Sequence, residues 1–455
     1  MRIRTKSMMI KKIKTPKDPL DVYTSLSKNH EYAFLLESVS GPDKLSEYSF
    51  IGYDPLAIFS AENNLCTIND KIRGDIFEIE TSAPLDILEK ILFYNVDSKY
   101  GFRFIGGAVG YVSYESIKYW EKIKLYEKKK IDFPDMEFAI YNKGIIVDHR
   151  MNEAYFFGPF ADEDEICFKN ESSSHSDSIN LLCANSSISK DEFEEMVHKA
   201  KEYIIEGDIF QVVLTKKYNV EYQGNLETFY RKLRILNPSP YMYMLKMGNR
   251  QIIGSSPEML FRVEGTRVET FPIAGTRPIT GDINRDEKLT EELISNEKEI
   301  AEHAMLVDLA RNDLGRVCRF GTVRVEELMK VYKYSHVQHM VSHIVGELRS
   351  GYSCLDVLRA LFPAGTVTGA PKIRAMEIIE ELERERRGPY AGCVGYISFN
   401  GNADFAITIR TLISPREGQG YIQSGAGIVA DSIPENEWYE TEHKARALLT
   451  ALRGE

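Results

Sequence analysis

The chain has 455 residues, of which 43% are apolar and 27% charged, the balance of a globular protein. At about 150 residues per domain that length suggests roughly three domains, and one large two-lobed domain also fits. Lys and Arg number 57 against 68 Asp and Glu, a net charge of −11, which argues against a nucleic-acid binder because phosphate neutralisation needs a basic face.

From the N-terminus, Met1–Lys17 holds seven basic residues and no acidic one. Its apolar cluster, Met8-Met9-Ile10, is too short for a signal-peptide core, and the stretch reads as an exposed leader. No apolar run approaches the roughly 20 residues that span a bilayer, so no membrane association is expected. The six cysteines are scattered without a C-x-x-C. That argues against a disulfide framework and a zinc knuckle, and makes a reducing cytoplasm the expected location.

Gly107-Ala108-Val109-Gly110-Tyr111-Val112-Ser113-Tyr114 echoes Gly392-Cys393-Val394-Gly395-Tyr396-Ile397-Ser398-Phe399 in residue class at every position. Both read as strands with glycines where backbones approach closely. The echo suggests an old duplication, with a related sheet in each half. Lys169–Asp177 is polar and rich in small residues, as linkers are. It places a linker at 171–188 between an N-terminal lobe, 1–170, and a second lobe, 189–455. A helix starts after it, with Ser189 as cap and Glu192 completing a capping box.

Leu293, Ile300, Ala301, Ala304, Met305 and Leu309 form an apolar stripe at helical spacing. Glu299 and Glu302 lie on that helix, and Glu437 and Glu440 on a C-terminal helix capped by Ser432 and opened by Pro434 and Glu435. Spacing i, i+3 puts each pair on one helix face, and Lys444 shares the second. Either pair alone is more often a solvated face. Converging, the four carboxylates would make an all-oxygen site suited to Mg²⁺ rather than zinc. His336, His339 and His343 lack the H-E-x-x-H of a zinc site and read as helix-borne residues at a core edge, one of them a proton handler.

Ala364–Lys372 looks like a phosphate loop, but Walker A needs Lys directly after its second Gly. Its amides and Thr hydroxyls, at the start of a helix, suit a carboxylate. Ala406–Leu412 and Tyr421–Ser424 alternate in the strand period. Arg410 closes the first and has the fork to grip a carboxylate. Gly425-Ala426-Gly427 follows the second and lets amides approach a ligand. Pooled, these features point to a metal and several anion-binding groups around a small dicarboxylate.

Those segments, with Gly207–Val213, Asn237–Met242, Gly254–Glu258, Pro272–Arg277, Lys298–His303 and Gly425–Ser432, run in order from about 190 to the C-terminus. Together they resemble the chorismate-utilising enzymes, most closely the anthranilate synthase branch. The N-terminal region matches more thinly, through Leu35–Ser38 and Gly107–Tyr114. The resemblance implies an α+β fold, a four-layer α/β/β/α sandwich with two related β-sheets. It implies conversion of chorismate and ammonia to anthranilate and pyruvate, the first step of tryptophan biosynthesis. Glu302 and Glu440 are then the Mg²⁺ ligands, with Glu299 and Glu437 behind them. Tyr390, Arg410, Gly425, Ala426 and Gly427 clamp the enolpyruvyl carboxylate, and Gly275, Thr276, Thr366 and Lys444 line the same pocket. Glu258 is the candidate general acid and His339 the candidate base or proton handler.

Water-using relatives carry Lys where this chain has Gln211, and aminodeoxychorismate synthases typically carry Lys in place of Ala274. Both departures favour anthranilate formation. Leu36, Glu37 and Ser38 with Pro240, Tyr241 and Met242 resemble an L-tryptophan feedback pocket, with Lys44 and Ser49 as further contributors. Nothing resembles a Cys-centred glutaminase, so the resemblance implies a separate glutamine amidotransferase subunit that feeds ammonia. The rivals are an aminodeoxychorismate synthase, an inactive binding subunit and an unrelated divalent-metal hydrolase.

Overall fold

A computed structural model of the chain describes residues 9–39, 47–92, 101–159, 178–333 and 337–455. His336 and Lys44 lie outside the described residues.

Among the described residues, two twelve-stranded antiparallel sheets form the middle layers. The first runs, in spatial order, Met9–Ile13, Glu153–Gly158, Gly144–Asp148, Tyr48–Tyr53, Tyr32–Glu37, Tyr241–Met247, Arg250–Ser256, Thr411–Arg416, Gln419–Ile428, Gln211–Gly224 and Ile179–Ser186. The second runs Ile273–Pro278, Val337–Glu347, Arg267–Thr270, Met259–Glu264, Ala403–Ile407, Cys393–Ser398, Gly107–Val112, Met136–Tyr141, Ala57–Glu62, Leu65–Asp70 and Asp75–Glu80. Gly369–Ala370 pairs with Gln211–Val212, and Arg324–Lys333 with Val337–Glu347.

The strand period decides which side each residue buries. Along Tyr241–Met247, Tyr243 and Leu245 join the core between the sheets, while Met242 and Met244 join a second core on the outer side of the first sheet. That outer core is closed by the helices Pro19–Ser27, Leu226–Leu236 and Pro434–Arg453. Leu226, Phe229, Tyr230 and Leu233 recur at helical spacing and are all buried, and Asn225 caps their helix. Each such side chain contributes about 1.5–3 kcal/mol of burial. Helices Pro84–Ile91, Glu297–Gly315 and Cys354–Leu361 supply the opposite layer, and Lys372–Leu382 packs against Gln211–Gly224 and Gly369–Ala370 of the first sheet. The result is the four-layer α/β/β/α sandwich. No helix among the described residues is long and apolar enough to cross a membrane.

Several sequence expectations need correction. The 171–188 boundary does not divide the chain into separate lobes, because both sheets take strands from either side of it. Tyr32–Glu37 pairs with Tyr241–Met247, and Gly107–Val112 with Cys393–Ser398. Within the expected linker, Ile179–Ser186 is an edge strand whose Ile179 is buried. Its alternation is short and its polar neighbours hide it. The two echoing segments are not one in each sheet. They lie side by side in the second sheet, with Gly110 opposite Gly395, so a local dyad relates them. A Cβ on either glycine would meet a neighbouring strand carbonyl at 1.9 or 2.1 Å, which explains the shared glycine.

The predicted strand Ala406–Leu412 is broken at 408–410, and Leu293 sits on a separate helix, Ile283–Ser295. Ser189 and Glu192 form the expected capping box. Ser432 does not cap the C-terminal helix: Ile433 holds that position, and Ser432 Oγ accepts instead from Val429 N at 3.1 Å. His339 and His343 stand on the strand Val337–Glu347, not on a helix.

Candidate active site

The strand Ile273–Pro278 bulges between Ala274 and Thr276, where Gly275 takes φ +65°. A Cβ there would lie 2.7 Å from Leu293 Cδ1 and 2.9 Å from Glu299 Oε2. Thr276 pairs in register with His339, and its hydroxyl lies 3.0 Å from His339 Nδ1. The same nitrogen is 3.2 Å from the Gly275 carbonyl, which can only accept, so Nδ1 carries the proton and Nε2 is the basic nitrogen. Burial, and then the positive charge of Arg410, push the ring below the ordinary histidine range, so it is held neutral.

Asn296 caps the helix Glu297–Gly315, accepting from Glu299 N at 3.1 Å. Glu299 pairs with Arg277 at 2.9 Å. One turn on, Glu302 is half-buried, with Lys298 at 3.9 Å. Its carboxyl is pushed up by burial and by Glu299, Glu440 and Glu437. Glu437 is raised by burial and by Glu440, with the Ser432 hydroxyl pulling the other way. The four acids on two helices therefore sense one another across the cleft. Lys444 neutralises one of them, donating to Glu440 at 2.5 Å and to the Gly425 carbonyl at 2.9 Å.

Arg410 sits at φ +51°, a left-handed conformation that costs a side-chain-bearing residue about 1–2 kcal/mol. Its carbonyl accepts from Ser255 N at 3.1 Å, and its guanidinium reaches the Lys444 carbonyl at 3.3 Å. The strand break is what turns this guanidinium toward the C-terminal helix. Burial lowers its pKa, with Tyr390 and Glu440 opposing. Tyr390 is buried and its hydroxyl is pushed up to about 12 by burial, so it is a hydrogen-bond donor.

Gly425, Ala426 and Gly427 pair with Thr215, Leu214 and Val213. A Cβ on Gly427 would stand 2.7 Å from Gln211 Nε2, and Gln211 Oε1 is buried without a partner. Glu258 ends the turn after the strand Arg250–Ser256 and is 7% exposed. Burial pushes its carboxyl up to about 8, against the Thr366 hydroxyl and the charge of Lys444. It shares a cavity with Gly365, Thr366, Leu306, Leu309 and Ile407.

Sequence reasoning missed Arg387, which is 1% exposed. Its guanidinium donates to the carbonyls of Val367 and Val213, each at 2.7 Å, and pairs with Glu383 at 2.7 Å. It ties the Thr366 loop to the strand facing Gly427, three residues before Tyr390. Glu383-Arg384-Glu385-Arg386-Arg387 reads as a solvated charge run, so no local signal marks it.

The candidate effector residues also converge. Leu36, Glu37, Ser38, Pro240, Tyr241 and Met242 all line one cavity between the sheets, with Arg262, Tyr396 and Asp404 opposite. Ser38 Oγ donates to the Pro240 carbonyl at 2.6 Å, and Tyr241 to Asp404 at 3.0 Å. Glu37 pairs with Arg234 at 2.8 Å, and burial holds its carboxyl up at about 7. Ser49 does not line this cavity and bonds His149 Nε2 at 2.7 Å.

A buried carboxyl beside the Thr366 loop, a neutral histidine bonded to the Gly275 bulge and a buried guanidinium reaching the acid-bearing C-terminal helix make up the candidate site. The chain belongs to the chorismate binding enzyme family, whose model matches residues 31–450. It is 46% identical over 446 residues to anthranilate synthase component 1 of Methanothermobacter marburgensis, covering 96% of this chain and 93% of that one. Its likeness to the Saccharolobus solfataricus protein of the same name is 44% over 442 residues, 95% of this chain and 97% of the other. The crystal structure of anthranilate synthase component I from Streptococcus pneumoniae matches with a TM-score of 0.79 and 37% identity, over 89% of this chain and 92% of that one.

Proposed function

We propose that the chain is the large subunit of an anthranilate synthase, a lyase that takes chorismate and ammonia to anthranilate and pyruvate. The observation that carries this reading is Glu258: a buried carboxyl pushed up to about 8 beside the Thr366 loop, on which the charge of Lys444 acts, while Arg410 acts on a neutral His339 and on Tyr390.

Arg410, Tyr390 and the Gly425–Gly427 amides orient the enolpyruvyl carboxylate, which makes the reaction effectively unimolecular. The lone pair of ammonia forms a bond to ring C2, the ring double bonds shift, and the C4–O bond breaks. Hydroxide is a poor leaving group, and the Glu258 proton lets it depart as water. The new C2 ammonium gives up a proton, which restores Glu258; His339 Nε2 then takes the C2 proton, the pair left behind forms the aromatic ring as the C3–O bond breaks, and the departing enolate takes a proton to become pyruvate. Gln211 is a neutral amide and cannot deprotonate water, which favours ammonia as nucleophile. Ala274 offers no amine for a covalent intermediate.

Mg²⁺ fits the acid pairs by chemistry: they are all-oxygen donors, and Glu302 and Glu437, whose carboxyls are pushed up, are short of positive charge that a cation would supply. Among the described residues no three acidic, His or Cys side chains stand close enough to hold a metal as they are placed. Glu302 and Glu440 would hold the ion, with Glu299 and Glu437 beside them, and the ion would bind the ring carboxylate and offset its charge. L-tryptophan is the proposed occupant of the Ser38–Pro240 cavity, and a glutamine amidotransferase subunit the proposed ammonia source. The test is anthranilate fluorescence from chorismate, Mg²⁺ and an ammonium salt. Formation of 4-amino-4-deoxychorismate instead would favour the aminodeoxychorismate reading.

A further inference from the structure

Each acid-bearing helix is tied to a different sheet by a buried polar group outside the substrate cleft. On the first sheet the Lys216 side chain is 0% exposed and paired with Glu442, whose carboxylate also takes the Tyr218 hydroxyl. The Lys216 ammonium stands 3.1 Å from the centroid of the Trp438 ring. Trp438 and Glu442 are one turn apart on the helix Pro434–Arg453. At 100° per residue they lie on a different side of that helix from Glu437, Glu440 and Lys444. On the second sheet His303, beside Glu302, is 0% exposed, and its Nε2 is 2.7 Å from Ser342 Oγ. The same hydroxyl accepts from Met329 N at 2.9 Å, and Ser342 shares its strand with His339.

An apolar contact would hold a helix against a sheet but would let it rotate or slide. A buried ammonium on a ring face with one carboxylate partner accepts one rotation, and a histidine-to-serine bond one register. We propose that Lys216 and the His303–Ser342 bond are positioning groups that set the separation of Glu299 and Glu302 from Glu437 and Glu440, and with it the affinity for a divalent cation. The inference rests on the cation reading above.

The test is calorimetric Mg²⁺ binding to the full chain with chorismate present and ammonia absent, together with thermal denaturation. Lys216→Met and Ser342→Ala each weaken Mg²⁺ binding about tenfold, as loss of a supporting contact behind a metal ligand does. Lys216→Arg recovers most of that loss. Ile140→Val, a core substitution in the second sheet away from both helices, lowers the melting temperature and leaves the affinity unchanged. Parent-like affinity in both Lys216→Met and Ser342→Ala overturns the proposal. So does a loss that only tracks melting temperature, with Ile140→Val on the same line. Absence of Mg²⁺ binding in the parent chain removes the cation reading itself, and the anchors with it.

Discussion

Thr276 and His339 face each other across two antiparallel strands, with the threonine hydroxyl 3.0 Å from His339 Nδ1. The contact, with the Gly275 carbonyl, fixes the ring so that Nε2 is the basic atom. Its burial keeps the imidazole neutral at the pH where a base is needed. His339→Asn removes the base and spares the acid. Chorismate is then still consumed while anthranilate formation drops about 10²- to 10⁴-fold, the range for losing a general base. Chromatography of the reaction mixture checks this by finding a non-aromatic amino product.

Glu258 predicts a pH profile. Its carboxyl is raised from the ordinary 4.5 to about 8, so the acid form the step requires disappears as pH rises through about 8. The rate falls on that limb, and Glu258→Gln removes the limb along with most of the activity. The stability consequence has the same sign. The unfolded chain ionises this group near 4.5 and the folded chain near 8, so its ionisation takes away stability as pH climbs between them. Denaturant titrations of Glu258→Gln show a flatter decline across that window than the parent does.

Glu302→Ala and Glu440→Ala are expected to lose activity by at least about 10²-fold, because even residues behind a ligand cost 10- to 100-fold in metal affinity. Chelator treatment of the parent reproduces the loss, and added Mg²⁺ reverses it only in the parent. Lys444 is the partner of Glu440 at 2.5 Å, so a cation held by Glu440 would compete with it. Raising the ionic strength weakens that pair and leaves apparent Mg²⁺ affinity less affected than screening of an open site would.

Ser38→Phe places a ring in the cavity between Leu36 and Pro240, beside the bond from Ser38 Oγ to the Pro240 carbonyl at 2.6 Å. Activity persists, and the L-tryptophan concentration needed for half inhibition rises at least about tenfold, within the 5- to 150-fold span of ordinary couplings. Inhibition curves at fixed chorismate measure it.

The placement of the acid pairs and of the glycines was legible because their spacing carried meaning. Glu299 with Glu302 and Glu437 with Glu440 sit on two helices as read, and the glycines at 425 and 427 lie on a strand beside Gln211. Long-range pairing was not legible. Nothing local in Gly107–Tyr114 says that it will lie against its own echo 285 residues on, since strand partners are chosen by the whole sheet. The histidines misled because spacings of three and four residues suit a helix, yet Val337, Val341, Ile344 and Val345 are β-branched and the segment is a strand. The break before Arg410 escaped for a related reason: alternation reads straight through an interruption that tertiary bonds with Ser255 and Gly392 impose. Arg387 had no signal, because its three partners are distant in sequence or look like surface charge.

The most direct test of the central claim is fluorescence-detected anthranilate formation by the purified chain with chorismate, Mg²⁺ and ammonium sulfate at mildly alkaline pH. The account predicts anthranilate without any partner subunit, lost in Glu302→Ala and in Glu258→Gln, and suppressed by L-tryptophan. Chorismate left unconsumed by the folded chain, with an amidotransferase subunit also supplied, would contradict it.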